Sequence, residues 1–445
     1  MEQPAVLVIG GGISGIQASL DLASRGIKVY LVEKSPSIGG RMAQLDKTFP
    51  TMDCSICILA PKMIECLRHP NITLLTYSEV QEVSGSAGNF KVKILKKPRF
   101  IDEDKCTGCG ECAQYCPIEV PDEFDMNLGV RKAIYIPFPQ SVPLKYAIDE
   151  NYCIKHTLGL CGLCQKICKA EAVNYDQKPE MINLTVGAII VATGFEMFDA
   201  RRISEYGYGR HKNVLISLEF ERLLSASGPT GGHIIRPSDG KITKSIAFIQ
   251  CIGSRSQRGG ELPYCSSVCC IYATKEAILI REHIPECEVY IFYIDLKVFG
   301  KGFQEFINRA TEEYGIRYVK GHPGRIEEDQ KTGDLVIRYE DAMDGKMKEI
   351  TIDLVILCPA LIPRRDNERL AEILKVDLDE YAFFKAKDPL LTPIDTNFPG
   401  VFICGYCQGP KDVPESVAQA SGAAARAAEI IALTTSKGGV ESGSK

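Results

Sequence analysis

Cysteines dominate the residues of this chain that could do chemistry. Nineteen occur among 445 residues, against six histidines and no tryptophan. Clustered cysteines in a long chain more often bind metals or carry redox chemistry than build a disulfide scaffold. One cluster, CTGCGECAQYCP, places four cysteines at C-x2-C-x2-C-x3-C-P spacing: Cys106, Cys109, Cys112 and Cys116. Such short spacings predict thiolates that converge on a metal centre.

A second group of cysteines follows in nearly the same order, and the two groups together resemble a bacterial 2[4Fe-4S] ferredoxin. Its members are Cys153, Cys161, Cys164 and Cys168, with the first gap widened to seven residues. In such ferredoxins the fourth cysteine of each run binds the other cluster. We therefore expect one set of Cys106, Cys109, Cys112 and Cys168, and another of Cys116, Cys153, Cys161 and Cys164. The alternative is a pair of zinc sites, which also use C-x2-C spacing.

A third group of cysteines occupies a turn where a nucleotide-binding domain would carry glycines. The turn follows a predicted strand at 246–250 and precedes a predicted helix at 271–283. It contains Cys251, Cys265, Cys269 and Cys270. Adjacent cysteines suit ligands of different irons better than a disulfide, but a redox-active disulfide and inert buried thiols remain alternatives. Because the glycine pattern is missing, NAD(P) binding is not expected here.

The N-terminal stretch AVLVIGGGISGIQASLDLASRGIKVYLVEK carries a dinucleotide fingerprint. A β-branched run leads into Gly10, Gly12 and Gly15, and a second strand ends at the acidic Glu33. The glycines allow a tight turn, backbone approach to a pyrophosphate and close helix–strand packing, while the acid can bind a ribose diol. The alternative is a turn of the same fold without a ligand.

Further segments favour FAD and resemble thioredoxin-reductase-like flavoproteins. They are SIGGRM, AIIVATGFE and TNFPGVFICGYCQGP. The expected FAD-binding residues are Gly10, Gly12, Ser14, Gly15, Glu33, Lys34, Gly40, Arg41, Ala192, Thr193, Gly194 and Gly405. The acid that usually follows the late glycine is absent, since Tyr406 follows Gly405.

These sites require an α/β fold of the thioredoxin-reductase-like type, with two dinucleotide-binding domains and an inserted 2[4Fe-4S] ferredoxin domain. The FAD-binding domain is expected in three parts, residues 1–97, 183–243 and 356–433. The ferredoxin domain is expected at 98–182, the second α/β domain at 244–355 and a disordered tail at 434–445. Insertion at a surface loop is tolerated when the ends lie close together.

Several motifs together resemble the flavin-containing component of heterodisulfide reductases. They are PTMDCSICILAPKM, CTGCGECAQYCPIEVPDEFD, RKAIYIPFPQSVP, CIGSR and YCSSVCCIYATKEA, and the resemblance runs from about Pro4 to Ala432. It implies a third [4Fe-4S] cluster, noncubane-like or asymmetrically ligated, at Cys251, Cys265, Cys269 and Cys270. It also implies that Lys275 lies near flavin N5, where a cation would stabilise reduced flavin; the alternative is a solvated helix lysine. The resemblance is to a short form without the N-terminal and C-terminal iron–sulfur domains.

The resemblance implies an oxidoreductase subunit that carries electrons between partner subunits, with flavin-based electron bifurcation or confurcation as the expected activity. Expected partners are heterodisulfide reductase B/C-like subunits, hydrogenase, formate dehydrogenase or other electron-input modules, and ferredoxin, with a homodimer inside a larger complex. Alternatives are a plain electron-transfer subunit, as in quinone-interacting oxidoreductases or class II benzoyl-CoA reductases, and a scaffold whose clusters only hold an assembly together.

Composition excludes other classes of function. A net charge of −5 and a pI near 5.9 give no reason to expect a nucleic acid or an anionic membrane as partner. No export signal and no membrane span are expected, so the chain should be cytoplasmic. Cys54 and Cys57 could be cluster ligands, a dithiol or buried thiols, whereas Cys404 and Cys407 are expected to be packing residues.

Overall fold

The computed structural model describes residues 5–440, and the side chains of residues 5–434. The chain forms two compact units. The first contains Met1–Ala43, Cys57–Phe195 and Pro363–Lys445, and the second contains Gln44–Ile56 and Glu196–Ile362.

The secondary-structure elements alternate as the sequence predicts for an α/β chain. The strands are β1 (Ala5–Ile9), β2 (Val29–Val32), β3 (Ile72–Leu75), β4 (Ser78–Ser86), β5 (Asn89–Lys96), β6 (Glu119–Pro121), β7 (Val130–Lys132), β8 (Ile134–Tyr135), β9 (Ala147–Ile148), β10 (Glu180–Val191), β11 (Glu196–Met197), β12 (Val214–Ile216), β13 (Ser245–Ile252), β14 (Glu288–Tyr293), β15 (Arg317–Lys320), β16 (Pro323–Glu328), β17 (Leu335–Asp341), β18 (Lys346–Ile352), β19 (Leu354–Pro359), β20 (Leu361–Ile362) and β21 (Val401–Ile403). The helices are α1 (Ile13–Ala23), α2 (Ser55–Arg68), α3 (Glu111–Gln114), α4 (Ile154–Leu158), α5 (Leu163–Ile167), α6 (Ser217–Leu224), α7 (Cys269–His283), α8 (Phe303–Glu312), α9 (Asn367–Leu374) and α10 (Val413–Val440).

The main sheet of the first unit has the strand order β3-β2-β1-β10-β5-β4, and β21 also pairs with β10. Strands β1, β2, β3 and β21 run parallel to their neighbours, because their apolar residues are buried between covering helices. Strand β5 instead alternates exposed and buried residues and pairs antiparallel with β4 and β10. The carboxyl ends of β1, β10 and β21 therefore lie together at one edge of the sheet.

The ferredoxin-like module is inserted between β5 and β10. Lys96 and Glu180 are opposite each other in the antiparallel pair, so the two ends of the module are neighbours across the ladder. The module has a small core of its own, made of Phe100, Ile101, Ile134, Tyr146, Ile148, Ala172 and Val173. Strand β10 begins a few residues earlier than the predicted end of the module at residue 182.

The second unit is built on a parallel sheet of order β12-β19-β13-β14-β15 and an antiparallel sheet of order β16-β17-β18. It includes residues 196–243, which the sequence assigned to the FAD-binding domain, and it extends past 355 to Ile362. The physical reason is that β12 pairs parallel with β19, and β11 pairs with β20, so both ends of this segment belong to the second unit.

The last helix, α10, is longer than expected. It runs from Val413 to Val440, so residues 434–440 are helical rather than part of a disordered tail; residues 441–445 lie outside the described residues. Asp412 and Glu415 start the helix by exchanging hydrogen bonds between side chain and backbone. Within the residues that the structure describes, no helix is both long and apolar enough to cross a bilayer.

Candidate functional site

The glycine turn after β1 has the close contacts that a dinucleotide fingerprint requires. A Cβ on Gly15 would lie 1.8 Å from the carbonyl oxygen of Gly10, and one on Gly10 would lie 2.4 Å from that of Ala192. Only glycine fits either position, because both neighbouring atoms belong to the backbone. The backbone N–H of Gly11 donates to Glu33 Oε2 at 2.7 Å, which fixes the acid beside the turn.

The other predicted FAD residues of the first unit gather around this turn. The N–H of Gly39 donates to the carbonyl of Gly11 at 2.7 Å, which joins the second glycine turn to the first. Gly405 packs on Ser14, since a Cβ on Gly405 would lie 2.3 Å from Ser14 Oγ. Lys34 forms an exposed ion pair with Asp366 at 3.0 Å.

Two features of this turn fit a bound FAD. The hydroxyl of Thr193 is buried and has no hydrogen-bond partner among the described residues. The helix α1 begins directly after Gly12 and points its free N–H groups at the same place, where a pyrophosphate would be stabilised. The residues present therefore fit the dinucleotide that the sequence predicts.

The structure sorts the eight ferredoxin-type cysteines into two cavities. One cavity is lined by Cys106, Cys109, Cys112 and Cys168, and we call it the first cysteine cavity. The other is lined by Cys116, Cys153, Cys161 and Cys164, and we call it the second cysteine cavity. These are the two crossed sets that the ferredoxin spacing predicts.

The cysteines surround space rather than a point. In the part of the chain that the structure describes, no three His, Cys, Asp or Glu side chains converge closely enough to hold one metal ion. Four thiols around a cavity suit a cube of iron and sulfur better than a single tetrahedral zinc ion. Burial raises the pKa of Cys112 to about 12, so this thiol needs a cation to become a thiolate ligand at neutral pH.

A fully buried arginine holds the module against the flavin-type sheet. Arg99 donates to the carbonyl of Pro36 and to Thr76 Oγ1, both at 2.5 Å, and to the carbonyl of Lys145 at 3.3 Å. Next to it, the N–H of Val142 donates to Ser37 Oγ at 2.8 Å. The module thus contacts the segment that follows Glu33 and precedes the second glycine turn.

The second unit brings together the four cysteines of the third group. Cys251 ends a bulged part of β13 with φ of +63°, and Cys269 and Cys270 begin α7. Burial raises the pKa of Cys251 to about 11, and the nearby thiols of Cys270 and Cys265 add to this rise. All four are free, so the structure does not form the alternative disulfide.

Backbone and side-chain donors face these sulfurs. The N–H of Ser267 lies 3.4 Å from Cys265 Sγ, and the N–H of Lys297 lies 3.5 Å from Cys270 Sγ. Arg255 lies beside Cys251 and forms an ion pair with Asp295. Donors to sulfur are typical of the surroundings of iron–sulfur clusters.

Lys275 is not a solvated helix lysine. Its side chain is 1% exposed, its Nζ forms an ion pair with Glu221, and it donates to the carbonyl of Lys47 at 3.2 Å. Glu276 is also buried, and its burial and the Glu221 carboxylate raise the pKa of Glu276 well above its ordinary value. The second unit therefore contains a buried cluster of one cation and several carboxyl groups, which includes Asp46.

The remaining cysteines divide into two kinds. Cys54 and Cys57 are disulfide-bonded, and Cys57 is exposed, so the pair is not a set of buried thiols. Cys404 and Cys407 are fully buried, and Cys407 Sγ donates to the carbonyl of Val191 at 3.3 Å. The latter two therefore pack the sheet edge, as expected.

Comparison with known proteins supports this assignment of sites. A family model of FAD-dependent oxidoreductases matches residues 5–53, and a model of 4Fe-4S binding domains matches residues 99–122. Solved structures of thioredoxin reductases from Lactococcus lactis and T. acidophilum align with a TM-score of 0.52 at 14% identity. Each alignment covers 96% of this chain and 99% of the solved one, which confirms the predicted fold class.

Curated relatives are much more similar in sequence, and all three described here are the iron–sulfur or flavin component of a CoB-CoM heterodisulfide reductase. The one from Methanocaldococcus jannaschii is 55% identical over 418 residues, which are 94% of this chain and 63% of the relative. One from Methanopyrus kandleri is 56% identical over 426 residues, 96% of this chain and 64% of the relative. The ferredoxin/F(420)H(2)-dependent one from Methanosarcina acetivorans is 43% identical, over 96% of this chain and 53% of the relative.

These matches confirm the resemblance that the motifs predict. The chain spans just under two thirds of the length of the first two relatives and about half that of the third. Nearly all of this chain is thus similar to part of one component of the heterodisulfide reductases.

Proposed function

We propose that the chain is an FAD- and iron–sulfur-containing electron-transfer component of a heterodisulfide-reductase-like oxidoreductase complex. The observation that carries the proposal is the sorting of eight cysteines into two four-cysteine cavities, in the same compact unit as the dinucleotide turn. A flavin site and two cluster sites in one unit, joined through buried Arg99, suit electron transfer over short fixed distances.

A third cluster is proposed at Cys251, Cys265, Cys269 and Cys270. These cysteines occupy the turn after the central parallel strand of the second unit, where a dinucleotide would otherwise meet glycines. Their free thiols and the donors that face them support a cluster in place of NAD(P).

The proposed activity is flavin-based electron bifurcation or confurcation. FAD supplies exchange of one or two electrons, whereas each cluster carries one, so the combination suits the splitting or merging of electron pairs. Substrate chemistry would then occur on partner subunits, such as heterodisulfide reductase B/C-like subunits and hydrogenase or formate dehydrogenase modules. Names of several relatives also mention ferredoxin, which is a proposed partner here.

Iron and flavin analysis of a Cys265→Ser variant tests the cofactor assignment. We expect the anaerobically purified chain to bind roughly twelve irons in three four-iron clusters, and the variant to lose roughly four of them while it keeps FAD. Cys287→Ser, a buried free cysteine of the same unit, is the matched control and should keep all iron. Unchanged iron in Cys265→Ser would contradict the third cluster.

Potentiometric titration of the flavin separates the proposed activity from plain electron transfer. Bifurcation requires that the second electron is removed from reduced flavin more easily than the potential of the first would suggest. Two potentials in the ordinary order would favour plain electron transfer. Rapid reduction of the flavin by NADH would show that the second unit still binds a nucleotide.

A further inference from the structure

The hydroxyl of Tyr175 contacts a cysteine of the second cysteine cavity, a contact that no motif in the sequence predicts. Tyr175 Oη lies 2.8 Å from Cys164 Sγ, and both side chains line the cavity. When the cysteine is bound to iron it has no proton, so the tyrosine is the donor in this pair. A phenol is protonated at neutral pH and can fill that role.

Aromatic rings hold Tyr175 in this orientation. The imidazole of His156 packs edge-on against the ring of Tyr175 with centroids 5.5 Å apart, and Phe100 packs against the other side of His156 at 4.1 Å. Lys155 Nζ lies 6.0 Å from the centre of the tyrosine ring. Because Phe100 belongs to the buried core of the module, the hydroxyl is fixed rather than free to turn to solvent.

The first cysteine cavity is surrounded differently. Its nearest sulfur contact of this kind is a backbone one, from the N–H of Ala172 to Cys168 Sγ at 3.4 Å. Tyr146 lines this cavity, but among the described residues its hydroxyl makes no hydrogen bond to a cysteine. Two cavities with equal numbers of cysteines thus differ in the strength of the donor that faces their sulfur atoms.

A hydrogen bond to sulfur changes the reduction potential of a cluster. When the cluster gains one electron, negative charge increases on its sulfur atoms, and a donor then stabilises the reduced form more than the oxidised form. No proton is transferred, since the phenol only shares its proton with the sulfur. The potential therefore rises with the donor present.

We propose that Tyr175 donates to Cys164 and raises the reduction potential of the cluster in the second cysteine cavity, so that an electron in the module rests preferentially there. The inference rests on the proposed function, because it requires a cluster in that cavity. It assigns the two ferredoxin-type clusters different places in the electron path, with the second cavity as the acceptor within the module.

A redox titration of the anaerobically purified full chain, followed by electron paramagnetic resonance, tests the proposal with Tyr175→Phe. Phenylalanine keeps the ring and removes only the hydroxyl. We expect one cluster signal to titrate at a more negative potential, with about a tenfold change in the equilibrium between reduced and oxidised cluster. This corresponds to about 59 mV for a one-electron couple.

Tyr146→Phe is the matched control and should leave every potential where it was. A Tyr175→Phe variant with full iron content and unshifted potentials would overturn the proposal, as would an equal shift of both ferredoxin-type signals. Failure of the proposed function is distinguishable from this outcome, because the unmodified chain would then lack the cluster signals before any substitution is made.

Discussion

Replacing Arg99 with methionine should loosen the ferredoxin-like module from the flavin-type sheet. The guanidinium is fully buried and joins three parts of the first unit through its hydrogen bonds to Pro36, Thr76 and Lys145. Methionine retains much of the side-chain volume but donates none of these bonds. The substitution therefore separates the role of the charged donor from that of packing.

The expected magnitude follows from the partners that are left behind. A hydrogen bond from a charged donor contributes about 1.5–3 kcal/mol, and removal of one partner of a buried ion pair costs about 3–5 kcal/mol. Glu103, whose carboxylate lies 3.1 Å from Arg99 Nε, is 25% exposed and can be rehydrated, but the carbonyl of Pro36 and the hydroxyl of Thr76 lose their donor. We expect a loss of about 3–5 kcal/mol in the free energy that keeps the module closed on the sheet.

Hydrogen exchange followed by mass spectrometry measures this loss. Amides of β8 and β9, in the module, should exchange faster by at least about a hundredfold in Arg99→Met, while those of β1 and β2 keep their protection. Arg68→Met, an exposed arginine at the end of α2, is the control and should change neither region. An acceleration of less than about tenfold in β8 and β9 would refute the role of Arg99 as the anchor.

Two further predictions concern the buried charges of the second unit. Lys275→Met should cost about 3–5 kcal/mol of stability, because Glu221 is left buried without its cation; the double variant with Glu221→Gln should recover much of the loss, and thermal unfolding that shows no recovery would contradict the pairing. Glu276→Gln should flatten the pH dependence of stability. Because its folded-state pKa is raised above the ordinary 4.5, Glu276 contributes stability that is full below about pH 4.5 and is lost as the pH rises through its folded-state pKa. Unfolding midpoints of both chains from about pH 5 to about pH 8 measure the difference, and equal slopes would show that Glu276 is not the proton holder.

Local patterns predicted the sites well. The spacing of Cys106, Cys109 and Cys112 constrains three thiols within one turn of chain, and the crossed fourth ligand follows from the same ferredoxin rule. The contacts of Gly10 and Gly15 likewise involve neighbours along the chain or on the adjacent strand. In both cases the chemistry depends on residues whose separation is fixed by short segments.

Contacts between distant segments could not be predicted in this way. Glu221 pairs with Lys275 and Tyr175 with Cys164 because of how helices and loops pack, and neither partner is marked by a pattern in the sequence. The boundary of the second unit was missed because β12 is only three residues long, too short for a periodicity to assign it to a sheet. Helix α10 continues through its Gly- and Ser-containing end, where composition alone favoured disorder.

The pairing of Lys96 with Glu180 gives the insertion a consequence for how the chain folds. Strands β5 and β10 are neighbours in the flavin-type sheet, yet the entire ferredoxin-like module separates them along the chain. Bringing these strands together closes a long loop, and the entropy lost is smaller if the loop is already compact with its ends side by side. A module that is folded around its metal centres would supply such a loop. We therefore expect cluster assembly and completion of the dinucleotide-binding sheet to be one cooperative event during biogenesis, in which iron supply limits the yield of flavin-competent protein.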